Sequence, residues 1–181
     1  MNQTPREFSR RISIDAIQRR SLTENIVATP EERAGLAARF GLQALEQLEA
    51  TLYLRTIRGG SMVEVHAKLL ADVVQTCGVT LAPLPRHVEE EFTALFAPAR
   101  QVQDDSADDH DVTGELEDSP EPFEDGGIDL GELVAQHLAL ALDPYPRAEG
   151  VSLDPALSGQ GETGGKSQKP LAALARLKTK Q

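Results

Sequence analysis

The 181-residue chain is long enough for one well-packed domain with tails and too short for two domains of ordinary size. Its single cysteine excludes an internal disulfide, and no run of residues approaches the roughly 18 apolar residues of a membrane span. The formal net charge of −11 would disfavour a nucleic-acid partner if the charge were evenly spread. A chain of this kind is expected to be soluble and cytoplasmic.

The charge is unevenly distributed along the chain. Eleven acidic residues and no Lys or Arg lie between Asp104 and Asp125, and the remainder holds 18 acids and 18 bases. Both ends are basic, with Arg19 and Arg20 among the cations near the start. Basic ends can contact RNA phosphates, or they can simply keep the protein in solution. The candidates for phosphate contact are Arg10, Arg11, Lys166, Lys169, Arg176, Lys178 and Lys180.

The N-terminal part predicts one strand and one helix. Apolar residues alternate in part over 6–14, which predicts a first strand. Thr29 then has the features of a helix N-cap, because Pro30 can occupy the first helical position and Glu32 can close a capping box. The helix should run to Phe40 and end at Gly41.

The middle of the chain predicts an antiparallel meander. Apolar residues recur at every second position from Leu48 to Val74, interrupted by a turn at 58–61, which indicates a hairpin with one buried face. A short strand at 79–81 and another from His87 to Phe96 should extend the meander. Glu90 interrupts the apolar alternation of the last strand, which indicates a bulge or an exposed edge.

The acidic stretch 101–127 is too poor in large apolar residues to be part of a core and predicts a disordered linker. Asp129 should cap a second helix, with Glu132 at its third position and Asp143 near its end. Residues 149–181 predict a disordered basic tail. We therefore expect one α+β domain over 1–148, an antiparallel meander or partly open barrel packed by two or three helices and interrupted by the linker.

No catalytic, metal or cofactor site is predicted. Cys77 could act as a nucleophile only with a nearby base such as His66 or His87, and a free cysteine is more often a small buried residue. Neither a Cys-x-x-Cys pair nor a suitable histidine spacing indicates zinc, and the run DDSADDHD lacks the glycine and closing glutamate of a calcium loop. With two Tyr, five Phe and no Trp, the chain also shows no RNA-stacking aromatic motif.

Three blocks in order resemble the YceD-like family of large ribosomal RNA subunit accumulation proteins. They are DVVQTCGVTLAPLPRHVEEEFTALFAP, PEPFEDGGIDLGELVAQHLALALDPYPR and KPLAALARLK, and the middle block is the most diagnostic. Many relatives have a Cys-x-x-Cys pair, of which Cys77 matches the second member while Val74 occupies the first. Relatives also tend to have Asn-Pro-Phe after the Lys-Pro of the tail, where this chain continues from Pro170 to Leu171.

The resemblance implies a non-enzymatic bacterial factor that supports synthesis, processing or stability of 23S rRNA in the cytoplasm. Its partners would be 23S rRNA or a particle preceding the large subunit, or a ribosomal protein, with no membrane, small-molecule substrate or cofactor. Two alternatives stay open. One is an adaptor whose acidic segment binds a basic ribosomal protein without touching RNA, and the other is a thiol-dependent enzyme centred on Cys77.

Overall fold

The computed structural model describes residues 7–99, 120–123 and 126–151. In chain order the elements are β1 (Arg11–Ser13), α1 (Ile14–Arg19), β2 (Leu22–Val27), α2 (Pro30–Phe40), β3 (Ala44–Ile57), β4 (Met62–Thr76), β5 (Pro83–Pro98), β6 (Glu121–Phe123), β7 (Gly127–Asp129) and α3 (Leu130–Ala141). All of them belong to one compact unit, Met1–Ala148. Of the tail predicted over 149–181, the structure describes only 149–151. The prediction of disorder therefore concerns residues outside the described ranges.

The centre of the fold is the hairpin of β3 and β4. The two strands pair antiparallel from Ala44–Val74 to Ile57–Met62, with one irregularity between Leu45 and Gln47. Every second side chain is buried on both strands, because successive side chains of a strand point to opposite faces. A short 3-10 turn joins the strands, and it uses Gly59 and Gly60 at positive φ, which glycine adopts without strain. The predicted hairpin is confirmed, and its strands are longer than predicted.

The hairpin belongs to a mostly antiparallel sheet with the order β2-β3-β4-β5-β6 in the described part of the chain. Only the last pair is parallel, and it is short, from Phe96–Glu121 to Pro98–Phe123. The inner face of the sheet contributes the core with the helices, while the outer face is polar and solvent-exposed. The prediction of an α+β fold with an antiparallel sheet is confirmed, and the sheet is open rather than closed into a barrel.

Helix α2 forms as predicted from its sequence. The Thr29 hydroxyl accepts a hydrogen bond from the Glu32 N–H at 3.3 Å, and the Glu32 carboxylate accepts one from the Thr29 N–H at 2.8 Å. Gly41 ends the helix in the left-handed conformation, with φ 66°. Leu36, on the inner side of the helix, is fully buried in the core. The capping box is expected to contribute about 1 kcal/mol to the free energy of unfolding.

Helix α3 also begins at its predicted cap. The Asp129 carboxylate accepts hydrogen bonds from the N–H groups of Gly131 and Glu132 at 3.2 and 3.3 Å. The Glu132 side chain forms an ion pair with Arg39 at 2.8 Å, which ties α3 to the end of α2. The buried positions of the helix are Leu130, Gly131, Leu133, Val134, Ala135 and Leu138.

The N-terminal segment differs from its prediction. The strand predicted over 6–14 is only three residues long, and helix α1 begins at Ile14. Ile14 and Ile17 are both buried at helical spacing, so they anchor α1 to the core. Strand β1 pairs antiparallel with β7, opposite Asp129, in a separate two-stranded ladder. Helix α1 and strand β2 were not predicted.

Two further predictions near Cys77 need correction. The strand predicted at 79–81 is wrong, because a turn spans these residues and Leu81 is 73% exposed with φ 62°. Strand β5 starts at Pro83 instead of His87, and its pairing with β4 continues without a bulge past Glu90. Glu90 lies on a stretch of β5 that has no described partner on its second side, which agrees with the alternative prediction of an edge.

The predicted acidic linker 101–127 contains strand β6 and the start of β7. Phe123 of β6 packs against the hydrophobic core. The rest of the predicted linker lies outside the described residues, apart from Pro120 and Gly126. A variant that tests the acidic segment should therefore leave β6 in place.

Candidate functional site

The structure describes two of the seven predicted phosphate contacts, Arg10 and Arg11. The other five predicted contacts lie outside the described residues: Lys166, Lys169, Arg176, Lys178 and Lys180. Their role in RNA binding stays a prediction.

Arg10 is held by a dense set of intramolecular contacts. Its guanidinium donates to both carboxylate oxygens of Glu32, at 2.6 and 2.9 Å, and to the carbonyl oxygen of Val27 at 3.2 Å. Its backbone N–H donates to Asp129 at 2.8 Å. The hydrogen bonds with Glu32 raise the pKa of Arg10 and lower the pKa of Glu32. Arg10 thus joins the N-terminal segment to the starts of α2 and α3.

Arg11, Arg19 and Arg20 have a different setting. All three side chains are exposed, and no carboxylate of the described ranges forms an ion pair with them. The register Leu22–Leu54 between β2 and β3 places Arg19 and Arg20, which directly precede β2, at the hairpin end of the sheet. The basic corner is the name we give to the arginines at this end, which are Arg19, Arg20, Arg55 and Arg58.

Next to the basic corner, the outer face carries two exposed rings on neighbouring strands. Tyr53 of β3 lies directly opposite His66 of β4, and the two side chains are 42% and 46% exposed. They line an open groove of about 580 Å³ together with Thr51, Lys68 and Thr93. Arg55 lies two residues beyond Tyr53 on the same face of β3.

His66 is hydrogen-bonded at both ring nitrogens. Its Nε2 lies 2.7 Å from a carboxylate oxygen of Glu64, and its Nδ1 lies 2.9 Å from the Thr93 hydroxyl. The same Glu64 carboxylate accepts a hydrogen bond from Arg55, which lowers the pKa of Glu64. These contacts fix the orientation of the imidazole ring on the sheet.

A hydroxyl, an imidazole and a carboxylate in a row also occur in catalytic triads. Here Glu64 is shared with Arg55, and Thr93 and His66 lie on a face open to solvent. Nucleophilic catalysis relies on a pocket that excludes water and on donors aimed at the developing oxyanion. The open geometry favours a role in which Glu64 and Thr93 hold the His66 ring in place, rather than a catalytic role.

The acidic groups around the groove are largely paired. Lys68 forms ion pairs with Glu89 and, at 3.2 Å, with Glu91, and the contact with Lys68 lowers the pKa of Glu89. Glu64 is paired with Arg55, as above. The groove therefore presents rings and hydroxyls between the Arg55–Glu64 pair and a Lys68 ammonium that two glutamates share.

Cys77 is buried at the end of β4, as expected for a small core residue. The hydroxyl and backbone N–H of Thr80, followed by the N–H groups of Ala148 and Val79, lower the pKa of the thiol from 9.0 to about 6. The Thr80 N–H lies 3.4 Å from Sγ. Neighbouring Gly78 donates to the carbonyl oxygen of Pro146 at 2.8 Å, so the loop after α3 helps to cover the thiol.

No cluster of three or more His, Cys, Asp or Glu side chains suited to a metal ion occurs within the described ranges. Among the same residues, no helix is long and apolar enough to cross a membrane.

Sequence reasoning missed the pairing of Tyr53 with His66. The alternation of β3 already places Tyr53 and Arg55 on its polar side, and that signal was available. The register that sets His66 opposite Tyr53 depends on where the turn begins and ends, which the pattern does not give.

The fold and its surface define the class: a small α+β protein with a mostly antiparallel open sheet, helices on one face and a polar outer face. A family model described as large ribosomal RNA subunit accumulation protein YceD matches residues 65–178, and the chain belongs to this family. No curated protein and no solved structure matches the chain. The matched range begins within β4, so His66 lies inside it, and Tyr53 and the basic corner lie before it.

Proposed function

We propose that this protein is a non-enzymatic cytoplasmic factor that supports synthesis, processing or stability of 23S rRNA by contacting the RNA directly. The observation that carries the proposal is the family match over residues 65–178, since the family is named for accumulation of the large-subunit ribosomal RNA. The groove geometry agrees with a binding role, because its polar side chains lie on an open sheet face.

Arginine and lysine side chains supply the attraction to RNA. Each cation that neutralises a phosphate releases a counterion and adds salt-dependent affinity. Arg11 is exposed and available for this role, whereas Arg10 is held by Glu32. The tail cations Lys166, Lys169, Arg176, Lys178 and Lys180 complete the proposed set.

Sedimentation of cell lysate through a sucrose gradient tests the function. The protein should co-migrate with immature large subunits, and its depletion should change the amount of precursor 23S rRNA. A protein that stays at the top of the gradient, with rRNA levels unchanged on depletion, would contradict the proposal.

One alternative is supported by the eleven acidic residues between Asp104 and Asp125. A segment of this charge would suit an adaptor that binds a basic ribosomal protein. Deletion of 104–118 removes eight of these acids, leaves the net charge near −3 instead of −11, and spares β6. The adaptor would lose its protein partner in this variant, whereas a direct RNA binder would keep or gain affinity for RNA.

A further inference from the structure

The outer face of the sheet leaves two ring systems exposed side by side. An antiparallel sheet can have one solvated face, and that face is usually polar. Tyr53 keeps 42% of its surface exposed in the half of β3 nearer the hairpin turn, opposite His66. A ring held on a rigid strand and exposed to solvent can stack on a nucleobase with little loss of side-chain entropy.

The surroundings of the two rings favour a nucleobase over a purely apolar ligand. His66 is fixed by Glu64 and Thr93, so its ring does not need to be ordered on binding. The hydroxyls of Thr51 and Thr93 line the groove. The Thr51 hydroxyl donates to the Asn25 side chain at 2.8 Å, and its oxygen can still accept a hydrogen bond from a base edge.

The charged side chains near the groove also bear on which ligand it can bind. Near the rings, Glu64 is paired with Arg55. Lys68 is shared by Glu89 and Glu91, so the groove keeps about one negative charge at its Lys68 end. The basic corner lies at the adjoining end of the sheet, where Arg19 and Arg20 have no ion-pair partner in the described part of the chain. A nucleotide whose base stacks on Tyr53 would have its flanking phosphates at this same end of the sheet.

We propose that unpaired RNA binds across the outer face, with one base stacked on Tyr53 beside His66 and the flanking phosphates at the basic corner. This inference rests on the proposed function, because it assumes that the protein contacts RNA directly. It assigns the contact to a surface that straddles the start of the matched family range: Tyr53 and the basic corner precede it, and His66, Lys68 and Thr93 lie within it. Glu89 and Glu91, which share Lys68, would limit the contact to a few nucleotides.

The tyrosine content allows a direct test by fluorescence. The chain has two tyrosines and no tryptophan, and Tyr145 is 78% exposed in the loop after α3. Tyr145→Phe leaves Tyr53 as the only strong fluorophore, and Tyr53→Phe leaves Tyr145 in the same role. Both full-length variants would be titrated with a single-stranded 12-nucleotide RNA of mixed A and U.

The two variants should respond differently. Base stacking should quench most of the tyrosine emission of the Tyr145→Phe protein. The emission of the Tyr53→Phe protein should fall only by the small amount that results when the RNA absorbs part of the excitation light. Equal changes in both proteins would overturn the inference, since the absorbance of the RNA is the same in each titration.

An affinity measurement separates this inference from the proposed function. Fluorescence anisotropy of a labelled copy of the same RNA should show binding about tenfold weaker for Tyr53→Leu and within about twofold of the original protein for Tyr145→Leu. Circular dichroism would confirm that both variants are folded. If the RNA binds equally to both variants, RNA contact stands and the stacking site is wrong. If it binds to neither variant nor to the original protein, direct RNA contact fails as well.

Discussion

At the scale of single residues, Arg10 and Arg11 have the same chemistry in the sequence and different surroundings in the fold. Arg10→Gln should lower the free energy of unfolding by about 1 kcal/mol, because it removes the bonds to Glu32, which water screens in part. Arg11→Gln should change stability by less than about 0.5 kcal/mol. Urea denaturation followed by circular dichroism measures both values.

The same pair of variants tests the phosphate contacts. Arg11→Gln should weaken binding of single-stranded RNA, while Arg10→Gln should leave the affinity of the folded protein unchanged. A larger loss of affinity in Arg10→Gln, measured where both proteins are fully folded, would return Arg10 to the RNA-binding set.

Cys77 has an unusual ionisation for a buried thiol. Hydrogen bonds from Thr80 and from backbone N–H groups lower its pKa to about 6, from 9.0, because they stabilise the thiolate. A depressed pKa in the folded state means that the thiolate adds stability above about pH 9, and that this contribution is lost as the pH falls from 9 to 6.

The single cysteine makes this ionisation measurable without interference from other thiols. Thiolate absorbance at 240 nm, corrected with Cys77→Ala, should titrate with a midpoint near pH 6. Modification by a thiol reagent should nevertheless be slow in the folded protein, because the side chain is buried. A midpoint near 9.0 would show that the hydrogen bonds to Sγ do not form in solution.

Cys77→Ala also tests the thiol-dependent alternative. If Cys77 has only a packing role, the variant should fold and should keep the effect of the protein on rRNA. If the variant folds but no longer affects rRNA, the alternative of a thiol-dependent enzyme would be supported.

At the scale of elements, the two glycines Gly35 and Gly131 show how the N-terminal segment is fixed. A Cβ on Gly131 would lie 2.6 Å from the carbonyl oxygen of Phe8, whereas one on Gly35 would lie 3.0 and 3.1 Å from Cγ and Cβ of Glu7, which must move by a few tenths of an ångström. Gly131→Ala should lower the free energy of unfolding by about 2 kcal/mol. Gly35→Ala should be neutral or stabilising by up to about 1 kcal/mol, because alanine favours the helix.

Thermal and urea unfolding of the two variants check this comparison. The substitution is the same, but Gly35 lies in the interior of α2 and Gly131 in the first turn of α3, so the gain in helix propensity favours Gly35→Ala as well. Equal stability of the two variants would mean that Phe8 does not pack against α3 in solution.

The elements that the sequence predicts are those whose signals are local. The ends of α2 are set by Thr29 and Gly41, and the hairpin by strict alternation around its turn. Helix α1 and strand β1 are short, and the short strand is stabilised by β7, which is more than 100 residues away. No local pattern specifies that pairing. The predicted strand at 79–81 failed for a related reason, since the chain there covers Cys77 in a turn.

The candidate site shows the same division between local and distant information. The chain contains Tyr53 and His66 at polar positions of two predicted strands, and their exposure follows from alternation. The two residues are neighbours because of the register between the strands. The Arg10 guanidinium is engaged because it binds Glu32, which is 22 residues away in the sequence. The sequence therefore identifies the arginines near the N-terminus, but it does not show which of them, such as Arg10, is held by contacts within the fold and which, such as Arg11, is exposed.

At the scale of the whole molecule, the position of the charge matters more than its sum. The chain has a net charge of −11, yet exposed arginines lie at both ends of the sheet. Arg19 and Arg20 are at the hairpin end, whereas Arg86 and Arg147 are at the opposite end, where Arg86 pairs across from Val73 and donates to the carbonyl oxygen of Arg147.

Two double variants distinguish local contact from the overall field. Arg19→Gln with Arg20→Gln, and Arg86→Gln with Arg147→Gln, each remove two positive charges, so an effect of net charge alone would be equal in both. If RNA phosphates lie at the basic corner, the slope of log affinity against log salt should fall by about 1.4 in the first variant, at about 0.7 for each phosphate contact, and should not change in the second. Equal slopes in the two variants would place the phosphate contacts elsewhere on the chain.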